Sequence, residues 1–123
     1  MRSRVLCVLA GTVAILLVST TALAHHGAAS LYDMKAETTM KATITEFVWT
    51  NPHVEIGIAP VDGKGDRWLL ELGSPANVVN RGWTSKSLKP GDVVTITFRP
   101  GLKGVKIGLF VRVVRADGTQ LRS

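Results

Sequence analysis

The chain has three histidines, and they fall in two places. His25 and His26 are adjacent in Ala22-Leu23-Ala24-His25-His26-Gly27, and His53 closes the tetrapeptide Thr50-Asn51-Pro52-His53. A neutral imidazole is the commonest side-chain ligand for transition metals. Cleavage of the chain after Ala24 would give His25 a free α-amino group with a pKa of about 7.7, a second nitrogen donor on the same residue. Amine and imidazole nitrogens in a planar or T-shaped array suit Cu(II), which also heads the affinity series of divalent first-row metals. The predicted metal ligands are therefore His25, His26 and His53. Copper is the expected ion, and the set requires His53 to approach the new amino terminus in space. Glu55 shares a strand face with His53 if side chains alternate there, as a further ligand or an acceptor behind one. Met34 and Met40 offer soft sulfur, although both also read as packing residues. The ordinary alternative is that His53 hydrogen-bonds a turn while His25 and His26 form a solvated terminus.

Cleavage is expected from the residues before His25. Arg2 and Arg4 form a basic head, Val5 to Val18 is an apolar run, and Ala22-Leu23-Ala24 is a small-x-small site, the layout of a secretory signal peptide. The run is shorter than the roughly 20 residues a spanning helix needs, so no integral membrane segment is expected after cleavage. A periplasmic protein follows. The single cysteine, Cys7, leaves with the signal. With it go disulfides, thiolate metal sites and a cysteine nucleophile. The remaining 99 of 123 residues carry 13 basic and 9 acidic side chains, an excess of +4. These cations are scattered singly, without the clustered stripe of a nucleic-acid footprint, so no nucleic-acid partner is expected.

No enzyme is expected either. Ser74 and Ser85 have no nucleophile elbow around them, and no zinc-hydrolase spacing is present. Asp33 with Glu37 falls in a loop. Asp62-Gly63-Lys64-Gly65-Asp66 lacks the ordered oxygen ligands of a calcium loop and reads as a hairpin turn.

The elements that must position these residues are mostly strands. Residues 39–49 alternate Met40, Ala42 and Ile44 against Lys41, Thr43 and Thr45, then change phase to Phe47 and Trp49, which predicts a bulge or bend. In residues 53–59, Val54, Ile56 and Ile58 share one face, with His53, Glu55 and Gly57 on the other. Trp68, Leu70 and Leu72 form the inward face of a third strand. Ser74 as cap, Pro75 at the first helical position and Gly82 beyond the end predict a short helix. Trp83 is expected to pack back on the strands. After the Lys89-Pro90-Gly91-Asp92 turn, Val94, Ile96 and Phe98 share a face. A last strand over 105–115 is expected to place Ile107, Leu109, Val111 and Val113 together, with a short edge segment at Leu121. The predicted fold is all-β, a small five-stranded OB-like barrel with one short helix between strands 3 and 4. Residues 1–24 are read as the signal peptide, 25–38 as an amino-terminal extension and 39–123 as the barrel domain.

Several short stretches carry a resemblance. The signal ending in AHH, TNPH at Thr50–His53, ELGSP at Glu71–Pro75, RGWT at Arg81–Thr84 and LKPGD at Leu88–Asp92 together resemble a family of small exported bacterial proteins classed only as a domain of unknown function. The resemblance spans nearly all of the chain after the signal. It implies a periplasmic barrel-like protein and no established activity. It also implies a histidine before the proline that ends the fourth strand, where this chain has Arg99 before Pro100. Two functions are expected from different classes. One is a copper-binding protein using the amino-terminal histidine. The other is a module that binds a small ligand or a protein, without metal or catalysis, through Trp49, Trp83 and nearby charges.

Overall fold

The structure, a computed structural model, describes residues 27–123. The predicted signal peptide and both His25 and His26 lie outside the described residues. Residues 27–31 are helical, with Ser30 Oγ donating to the Gly27 carbonyl at 2.8 Å. A separate compact unit runs from Tyr32 to Ser123.

That unit is a closed barrel. Its elements are β1 (Thr38–Val48), β2 (Glu55–Pro60), β3 (Trp68–Glu71), α1 (Pro75–Val79), β4 (Val93–Pro100), a 3-10 turn (Leu102–Gly104), β5 (Ile107–Val114) and β6 (Gln120–Arg122). The order β3-β2-β1-β4-β5 is hydrogen-bonded in sequence, and a parallel pairing of β3 with β5 closes the ring. Leu69, Leu70 and Glu71 stand opposite Ile107, Gly108 and Leu109 across that seam. This is the expected OB-like barrel, with the helix between strands 3 and 4. The short β6 adds to the outer half of β5.

Alternation builds the core. Val54, Ile56, Ile58, Leu70, Ile96 and Phe98 are fully buried, each contributing about 1.5–3 kcal/mol by leaving water. The predicted bulge in β1 falls at Thr45: Ile44 pairs with Ile58 and Glu46 with Gly57, so two residues of β1 match one of β2. Phe47 and Trp49 beyond it turn back against the core. Gly57 leaves the space this bend needs, because a Cβ there would stand 2.6 Å from both Glu46 Cγ and Thr45 Oγ1.

The last strand departs from the expected phase. Its buried residues are Gly108, Phe110 and Val113, while Ile107, Leu109 and Val111 are only half-buried. The cause is a second bulge. Phe98 pairs with Phe110 and Thr97 with Arg112, which makes Val111 the extra residue. Gly108 takes an inward position because Leu70 Cδ2 and Phe98 Cδ2 would each lie 2.6 Å from a Cβ there.

The helix signals act as predicted. Ser74 caps α1 by accepting from the Asn77 N–H, and Pro75 opens it. Trp83 then packs beneath it, 1% exposed, edge-on to Phe110 at 5.3 Å, and donates its indole N–H to the Arg122 carbonyl at 2.8 Å. At the turn into β4, Gly91 adopts φ 92°, the left-handed conformation that a side chain would resist, with Asp92 N–H bonded to the Lys89 carbonyl.

Candidate functional site

His53 is exposed and stands just ahead of β2. The strand pairing already reaches its neighbour, because the Val54 N–H bonds to the Gly73 carbonyl and the Leu72 N–H to that of Val54. Val54 points into the core, so alternation directs His53 to the outer face beside Glu55. Directly across from Glu55 is Glu71 of β3. His53 is the diagonal neighbour of Glu71, and such diagonals lie about 7–8 Å apart.

Glu71 has a partner that comes from far along the sequence. Tyr32, 3% exposed, donates its hydroxyl to Glu71 Oε2 at 2.5 Å. Its backbone is held by a bridge to Gly101, and the next residue, Asp33, donates its N–H to the Pro100 carbonyl at 2.8 Å. The segment ahead of β1 is thus fastened to the end of β4 and to β3. Burial first, then the hydrogen bond to Glu71 and its negative charge, push the Tyr32 hydroxyl well above its ordinary value of 10.0. The neutral phenol is the form that this contact requires.

Arg99 occupies the position where the resemblance implies a histidine. It pairs with Leu109, itself opposite Glu71, and its guanidinium lies 3.7 Å from Glu37. Its Nε is buried with no hydrogen-bond partner among the described residues. A guanidinium is always protonated and has no acceptor, so Arg99 supplies no metal ligand.

The other predicted candidates are spread out. Among the described residues no three His, Cys, Asp or Glu side chains gather closely enough to hold a metal ion. His53, Glu55 and Glu71 share a face without forming a complete ligand set. Met40 packs against the core and Met34 is exposed. Ser74 is used as a cap, and Asp33 and Asp62 accept from the N–H groups of Lys35 and Lys64 in turns. Of the two tryptophans expected to contact a partner, Trp83 is buried, which removes it from that role. The reason is its indole bond to Arg122 and its packing on Phe110. Trp49 is half-buried, 6.1 Å from Phe47.

Tyr32 and Glu71 are a hydrogen-bonded pair on this face that the sequence patterns did not single out. A lone tyrosine just before the first strand was the available signal. Nothing in the local pattern pairs it with a glutamate 39 residues away.

Among the described residues no helix is long and apolar enough to cross a membrane. No curated protein and no solved structure matched the chain. A family model described as a family of unknown function (DUF6152) matches residues 13–112, and the chain belongs to that family.

Proposed function

We propose that the protein is an exported, periplasmic, non-catalytic small barrel that binds Cu(II) through the nitrogens of an amino terminus at His25, with His53 or His26 completing the set. The observation that carries this reading is the Tyr32–Glu71 hydrogen bond. It fastens Tyr32, where the barrel unit begins, to the strand pair whose outer face also bears His53 and Glu55. His26 precedes Tyr32 by six residues. The α-amine must lose its proton to bind, so binding weakens as the pH falls below about 7.

The test is a calorimetric and electron-spin titration of Cu(II) into protein that begins at His25, alongside protein with one extra residue ahead of His25. One equivalent is expected to bind the first tightly near neutral pH, and the extension is expected to remove most of that affinity. His53→Ala is expected to reduce the nitrogen hyperfine pattern. Equal affinity of the two amino termini overturns the reading. The mass of the secreted protein is the first measurement, because a start elsewhere than His25 removes the amine donor. The competing reading, a ligand- or protein-interaction module without metal or catalysis, loses one of its two aromatic contacts with the burial of Trp83.

A further inference from the structure

Four of the lysines and arginines that look scattered in sequence, Lys41, Lys86, Lys89 and Arg115, are brought together by the fold on the side of β4 and β5. Pairing of these two strands brings the loop before β4 against the hairpin after β5, and between them lies a cleft of about 300 Å3. Lys86 and Lys89 stand on one wall, and Arg115 and Asp117 on the other. An adjoining hollow extends it over Val93, Thr95 and Val114 to Lys41.

The acids of the cleft are already engaged. Asp92 takes the Lys89 N–H at 3.0 Å and the Lys89 ammonium at 3.0 Å. Asp117 Oδ1 accepts from both the N–H and the hydroxyl of Thr119, at 2.8 and 2.6 Å. Thr119 Oγ1 in turn accepts from Arg115 Nε at 2.6 Å, and Arg115 Nη1 reaches the Ser87 carbonyl at 3.4 Å. The guanidinium is therefore fixed on two of its nitrogens, and its remaining N–H groups have no hydrogen-bond partner among the described residues. Arg115, Lys86 and Lys41 take part in no ion pair among the described residues. A fixed guanidinium beside an ammonium favours oxyanions, because little side-chain order is lost when they bind. The floor beside these charges is apolar, with Val93 38% exposed on it.

We propose that this cleft binds a small organic oxyanion, a carboxylate or a phosphate monoester, with its charged group on Arg115 and Lys86 and a short apolar body over Val93 and Val114. The site lies on β4 and β5 and shares no residue with the proposed copper ligands, so either can fail alone.

The test is a titration of the 15N-labelled chain, residues 25–123, with butyl phosphate, butyrate and inorganic phosphate at low ionic strength, followed by amide chemical shifts. Butylamine serves as the cationic control. Saturable shifts confined to residues 86–94 and 114–117 are expected with the anions, with butyl phosphate or butyrate binding more tightly than inorganic phosphate. Arg115→Gln is expected to weaken binding roughly tenfold, the loss of a charge-assisted hydrogen bond. Arg115 also supports its hairpin, so the exposed Lys86→Gln is the second variant, expected to weaken binding several-fold with the melting temperature unchanged. The proposal is overturned by no saturable shift with any anion, by shifts spread over the whole basic surface, or by equal affinity in wild type and both variants. Butylamine acting on the same amides overturns it as well.

Discussion

The outer surface on β2 and β3 and the outer surface on β4 and β5 belong to one barrel but are built in opposite ways. On the first, the charges are acidic: Glu46 lies over Gly57, and Glu55 faces Glu71. Two like charges directly opposite across a strand pair destabilise it. The Tyr32 hydroxyl offsets this by hydrogen-bonding the Glu71 carboxylate over a separation of 39 residues. On the second, the charges are mostly basic, and order comes chiefly from within short loops, Lys89 to Asp92 and Arg115 through Thr119 to Asp117, with one longer bond from Arg115 to the Ser87 carbonyl. One surface therefore depends on a long-range contact and the other mainly on local ones. Loss of a single residue should loosen the first and barely alter the second.

Substitutions and titrations break or sharpen that contrast. Phe98→Ala removes a fully buried ring that packs 4.9 Å from Trp68 of β3 and pairs with Phe110 of β5, so it underlies both surfaces. A loss of about 3–5 kcal/mol is expected in denaturant unfolding, with both surfaces lost together. Gly108→Ala forces a methyl against Leu70 and Phe98 at the β3–β5 seam. A cost of about 1–3 kcal/mol is expected, and amide exchange should quicken at Leu69 to Glu71 more than at Arg115 to Thr119.

Tyr32→Phe keeps the ring and removes the bond to a charged group, for an expected loss of about 2 kcal/mol. Faster proteolysis is expected between residues 32 and 38, with the Lys86–Asp92 loop unchanged. The same contact is visible in alkali, because Tyr32 is the only tyrosine in the chain. Its folded value is raised above 10.0, so its contribution to stability is complete below pH 10 and declines as the pH climbs through the folded value. Phenolate absorbance should therefore rise only above pH 10, and Glu71→Gln should move the midpoint back toward 10.

The smallest effect is expected in acid on the basic surface. Burial works against the Asp92 charge, but hydrogen bonds from Lys89 and the positive charges of Lys89 and Arg115 outweigh it and hold the carboxyl below 3.8. Hydrogen bonds from the Thr119 side chain and backbone do the same for Asp117. Their contribution is present above 3.8 and lost as the pH falls through the depressed values. The amides of Lys89 and Thr119 should shift only below about pH 4, with little change in melting temperature.

Much of the fold is legible in the residue pattern. The period-2 run Val54, Ile56, Ile58, the Ser74-Pro75 start and the Lys89–Asp92 turn each carry their own local cause. The phase of β5 was hidden because the inward place at Gly108 has no side chain to mark it, and the apolar Val111 fills the bulge. The site is less legible than the fold. His53 stands out by type, but its closeness to Glu71 follows only from the strand register. The basic cleft is invisible in sequence because its charges come from two loops that meet only when β4 and β5 pair.

The indole of Trp83 has a further consequence at the other end of the chain. By holding the backbone oxygen of Arg122, it occupies a place where an intruding strand from another molecule would otherwise donate its amide. That one acceptor on the edge strand is therefore closed to strand addition, and trimming the last residues would leave the buried indole N–H of Trp83 without its partner.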